Sequence, residues 1–129
     1  MATIKSFTSI EQSRKLAEIL PLESADIILT LEGNPELTSY PIMRNYSEFY
    51  NYLRRFELEE KYIKHTYIPA WSLAALISIL PRIDIEKEIC ADDTYDYRVK
   101  AYIDDGYVGD WFDDPIDACY DMIITLYKD

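Results

Sequence analysis

The chain has 129 residues, 49% of them hydrophobic and 29% charged, which is the composition of a single globular domain over 1–129 and excludes a chain disordered as a whole. Its formal net charge of −11 is concentrated at one end: residues 84–129 hold 14 acidic and 4 basic side chains, residues 1–83 hold 10 and 9. Such a field repels phosphate backbones and attracts basic surfaces, so nucleic acid is an unfavoured partner.

In chain order, Thr8-Ser9-Ile10-Glu11 fits a capping box with Thr8 as N-cap. It predicts a helix over 8–20, stopped by Pro21. Asp26–Leu31 is short, apolar and partly β-branched, and reads as a strand. Glu32-Gly33-Asn34-Pro35 signals a turn, and 34–45 has no clear period and reads as a loop. Tyr46, Phe49, Tyr50, Leu53 and Phe56 recur at helical spacing and predict a helix over 47–60. Pro69 opens a third helix over 70–80, apolar nearly all round and therefore a core element.

The β region follows. Ile83, Ile85 and Ile89 share one parity, broken by Lys87, and Tyr95, Tyr97, Val99, Ala101 and Ile103 alternate with Asp96, Arg98, Lys100 and Tyr102. Asp104-Asp105-Gly106 is a hairpin turn into Tyr107–Phe112. Asp114 as N-cap and Pro115 at the first helical position start a last helix over 114–127. The predicted fold class is α+β: a three-stranded antiparallel sheet from 82–112 packed by about four helices.

Three stretches, Phe7–Ser13 continuing to Leu20–Asp26, Ile68–Leu76 and Asp114–Cys119, together resemble a group of small uncharacterised proteins of gut anaerobic bacteria, their phages and mobile elements. The likeness covers about half the chain. It implies a shared architecture and a mobile-element setting. The group has no activity or binding residues to carry over, and the matching positions are caps, prolines and core residues.

The chemistry on offer is sparse. His65 is the single histidine, which excludes zinc sites built on two or three histidines, and a Cys–His nucleophile would need His65 beside Cys90 or Cys119. Both cysteines lie among apolar residues and read as buried thiols. Three glycines leave no phosphate-cradling loop, and the D-x-D-x-D-G spacing of a calcium loop is absent, so no cofactor, no metal and no catalytic residue is assigned. The N-terminus carries no run apolar enough for a signal peptide, and Trp71–Leu80 is too short to span a bilayer; the expectation is a cytoplasmic protein without a membrane partner.

The most suggestive cluster is Gly106–Asp114, where aromatic residues are ringed by acids. Tyr107, Asp110 and Trp111, with Asp104 and Asp105 of the turn, form a candidate surface for a basic protein partner. The competing interpretation is that Trp111 and Phe112 end a strand, one or both packing under the last helix while the acids cap it. The leading functional expectation is thus a non-enzymatic, acidic protein-interaction module. The alternatives are a small enzyme using acidic or tyrosine residues, and a structural protein.

Overall fold

The first helix begins one residue later than the spacing suggests, and the reason organises the fold. In α1 (Ile10–Ala17) the N-cap is Ser9, whose Oγ accepts the Gln12 N–H at 3.2 Å while Gln12 Oε1 accepts the Ser9 N–H at 3.0 Å. Thr8 is not free to cap. It is fully buried, its hydroxyl shares a 2.7 Å hydrogen bond with Ser13, and it accepts the Trp71 N–H at 3.1 Å. The structure, a computed structural model, describes residues 5–30, 42–103 and 106–127.

Beyond a short 3₁₀ turn at Leu22–Ser24 comes β1 (Ile27–Thr30), the centre strand of an antiparallel sheet with β2 (Ile42–Met43) and β3 (Tyr67–Ala70). All four β1 residues are buried. Ile28 faces the main core, while Ile27 and Leu29 join Ile68 and Ala70 in a second cluster closed by Phe7 and Ile10. The predicted strand at 26–31 is thus part of a whole sheet that the pattern did not announce. Ile42 and Met43 lie in a strand rather than a loop, while the turn signal at 32–35 lies outside the described residues. Pro69 does not open a helix. It stands in β3 opposite Ile28, on an edge strand, where a missing N–H is tolerated.

The helix predicted over 47–60 is two helices, α2 (Tyr46–Arg54) and α3 (Glu60–Thr66). Asn45 caps α2 through its Oδ1, which accepts the Glu48 N–H at 3.0 Å. Glu57, at φ 62°, breaks the run. Of the aromatic stripe, Tyr46 is buried and donates its hydroxyl to the Tyr67 carbonyl, and Phe49 packs edge-on against the Tyr67 ring, but Phe56 lies beyond the end of α2 and is exposed. The helix predicted over 70–80 is α4 (Leu73–Ile79), capped by Ser72, whose Oγ accepts the Ala75 N–H. Trp71 precedes it, fully buried, with its indole N–H donated to Ser24 Oγ at 3.0 Å.

The second sheet has four strands rather than three: β4 (Ile83–Ile89), β5 (Tyr95–Ile103), β6 (Gly106–Val108) and β7 (Trp111–Phe112). The extra strand is an interruption. Ala101↔Val108 and Arg98↔Trp111 belong to one continuous register, so β6 and β7 are a single strand line broken at Gly109 and Asp110. Helix α5 (Pro115–Tyr127) starts as expected, with Asp114 Oδ1 accepting the Ile116 N–H at 2.8 Å. It packs on the face of the sheet carrying Val99 and Ala101, and with Leu16, Ile28, Tyr46, Trp71 and Leu76 it forms the main core. The class is α+β.

The cysteines differ. Cys119 is buried in α5, and burial, then the charge of Asp114, pushes its thiol up to about 12. Cys90 is not buried as expected. It sits partly exposed at the β4–β5 hairpin, where its carbonyl accepts the Asp93 N–H and its N–H donates to the Thr94 carbonyl. A hydrogen bond to Asp96, more than desolvation, raises its thiol.

Two outcomes follow from this packing. Leu76 is fully buried in the main core, so Leu76→Ala should cost about 2–5 kcal/mol in chemical denaturation. A thiol reagent at mildly alkaline pH should label Cys90 in the native state and Cys119 only after denaturation, as counted by mass spectrometry.

Candidate functional site

Alternation along β5 divides the second sheet into two unlike faces. The odd-numbered residues of β5 include Val99 and Ala101, which α5 covers. The even-numbered ones, Asp96, Arg98, Lys100 and Tyr102, lie opposite Glu88, Glu86 and Asp84 of β4 on one side and Trp111 and Tyr107 on the other. None of these side chains belongs to either core cluster. Among the described residues, no helix packs on this outer face.

A small network ties the outer face together. Glu86 takes two cations, Arg98 Nη2 and Lys100 Nζ, each at 2.8 Å. Those hydrogen bonds, from Lys100 first and then Arg98, hold the Glu86 carboxyl below its ordinary range. The Arg98 guanidinium lies 4.5 Å from the Trp111 ring centroid, and Lys100 Nζ lies 4.0 Å from that of Tyr107. Tyr102 meets Tyr107 edge-on at 6.4 Å and hydrogen-bonds Asp84, which raises its hydroxyl. Cations of β5 thus lie over the Tyr107 and Trp111 rings and are themselves held by Glu86 of β4. Cation–π contacts at exposed sites are individually weak, and here they act together with the ion pairs to Glu86.

Of the residues expected to bind a partner, Tyr107 and Trp111 come together on this face. Trp111 is half-buried beneath Arg98 rather than under α5, whereas its neighbour Phe112 points the other way into the main core. Asp110 is exposed but is set on the opposite side by parity, and its charge, after burial, helps to raise the Asp121 carboxyl on α5. Asp104 and Asp105 lie outside the described residues. Sequence reasoning missed Glu86, Arg98, Lys100 and Tyr102. The alternation of β5 was legible, but the register that sets Tyr102 opposite Tyr107 and Arg98 opposite Trp111 was not.

Other chemistry finds less support. A cleft of about 270 Å³ lies between α1, α3 and β3, lined by Arg14, Glu18, Leu22, Tyr46, Lys64 and Ile68 among others. Its tyrosine is a poor acid–base group at neutral pH, because burial, then Tyr50, pushes Tyr46 up to about 12. His65 is exposed at the end of α3 while Cys119 is buried. Among the described residues no group of three or more His, Cys, Asp or Glu side chains could hold a metal ion, and no helix is long and apolar enough to cross a membrane. Comparison with known proteins adds no relative, since no family model, curated protein or solved structure matches the chain.

Gly109 keeps the outer face in register. Its φ is 150°, and a Cβ there would stand 2.2 Å from the Val99 carbonyl oxygen, a backbone atom that cannot move aside cheaply. Gly109→Ala should cost about 3 kcal/mol. The same change should speed hydrogen exchange at Val108 and Trp111 before it affects α1.

Proposed function

We propose that this protein is a non-enzymatic interaction module that docks a basic partner on the outer face of its second sheet. The observation that carries the reading is a row of rings on the face of the sheet turned away from the main core, with Tyr102 and Tyr107 about half exposed and Trp111 part-buried beneath Arg98. Rigid aromatic side chains in a polar surround are the usual anchors of protein interfaces. The acids Asp84, Glu88 and Asp96 border the same face and supply a field complementary to lysine and arginine. Arg98 and Lys100 are already engaged by Glu86. They brace the rings more than they repel an incoming cation.

The direct test is titration with an oligolysine peptide, followed by amide chemical shifts. Shifts should cluster on β5–β7 and weaken steeply between low and physiological salt, where the Debye length is about 8 Å. Shifts spread over all acidic residues alike, α5 included, would overturn the reading. Trp111→Ala should weaken peptide binding by about 2 kcal/mol, the scale of an interface anchor. It should lower Tm by only a few degrees, since the ring lies outside both core clusters.

A further inference from the structure

The edge of the second sheet is as informative as its face. In the strand order β4-β5-β6, β4 is outermost, so alternate N–H and C=O groups along Ile83–Ile89 point outward with no strand beside them among the described residues. It has no proline, glycine or bulge to blunt it. One side of β4 carries Asp84, Glu86 and Glu88; the other carries Ile83, Ile85, Lys87 and Ile89. Only Ile83 reaches the main core. Ile85 is 46% exposed and Ile89 69%, and Tyr95, opposite Ile89, is 43% exposed.

One feature disfavours a second copy of this chain on that edge. A two-fold antiparallel pairing centred on Glu86 would set Glu86 against Glu86 and Asp84 against Glu88, and like charges directly opposite are destabilising. Like charge along an edge strand is a guard against self-pairing. The same pattern favours the opposite complement.

We infer that β4 is a strand-addition site for an extended segment in which basic residues alternate with apolar ones. Its basic side chains lie on the side of β4 that carries Asp84 and Glu88, Glu86 being already engaged by Arg98 and Lys100. Its apolar side chains cover Ile85 and Ile89. Main-chain hydrogen bonds supply affinity and the alternation supplies specificity. The inference rests on the docking reading of this sheet and adds to it the partner's conformation and residue pattern.

The test uses the full chain and an end-blocked peptide KVKVKVK, with EVEVEVE as control. Binding of the first should slow hydrogen exchange of β4 amides at least tenfold and leave the control inert. N-methylation of the peptide at alternate residues along one edge should abolish this protection, while methylation along the other edge spares it. Glu88→Lys, at an exposed position, should weaken binding about fivefold. Shifts at Tyr107 and Trp111 without β4 protection would overturn strand addition and leave face docking standing. Absence of binding to both KVKVKVK and oligolysine would overturn both. Concentration-dependent dimerisation of the free chain with protected β4 amides would also overturn the inference, in favour of a second copy.

Discussion

The fold depends on a buried polar joint around Trp71 and Ser72. Thr8 donates its N–H to the Trp71 carbonyl at 3.0 Å and accepts the Trp71 N–H on its hydroxyl, while Asp26 accepts both the backbone N–H and the hydroxyl of Ser72. Three segments far apart in sequence are thereby fixed at one point: the entry to α1, the entry to β1 and the cap of α4. Every partner is a backbone group or a short side chain, so the geometry leaves little slack. Leaving one of these buried groups unpaired costs about 1–3 kcal/mol, whereas each satisfied bond contributes less. The joint therefore specifies the arrangement more than it stabilises it. Lys5 and Gln12 extend it to α5, both reaching Asp117 Oδ1, and Lys5 also donates its N–H to Asp114.

The two sheets answer different demands. The first is short, and its central strand packs against both core clusters, so β1 reads as a continuous apolar run. The second is covered on one side only, and the cover ends early: α5 reaches Val99 and Ala101 but leaves Ile85, Ile89 and Tyr95 in solvent. The far end of the β4–β5 hairpin projects beyond the core. Among the described residues, neither core cluster reaches Ile85, Ile89 or Tyr95 at this end of the hairpin.

What was legible in the sequence was whatever local physics decides. Asp114-Pro115 starts α5 because an acceptor and a fixed φ suffice. The β5 alternation reads correctly because one face is buried and the other is not. What failed had two local explanations, and tertiary contact chose the second. Thr8 and Ser9 are both good caps, and Thr8 lost because Trp71 claims its hydroxyl. Pro69 suits a helix start as well as an edge strand, and pairing with Ile28 decided it. Trp111 and Phe112 are adjacent aromatic residues, and only the register against Arg98 and Tyr97 separates the surface ring from the core ring. Cys90 looked apolar in its immediate neighbourhood, yet a hairpin turn exposed it.

The uneven charge of the chain takes on a structural meaning once the register is known. On β4 the acids occupy alternate positions, so they line one side of an edge strand instead of forming a diffuse cloud. Glu86 is neutralised twice over by Arg98 and Lys100 and serves the rings beneath them. Glu88 lies opposite another acid, Asp96, which costs free energy in the isolated chain because like charges face each other across the ladder. Such a pair is relieved by any cation that comes to lie beside it. Like charge along an edge strand disfavours pairing with an identical strand and favours a strand of opposite charge, which is the physical ground of the strand-addition proposal.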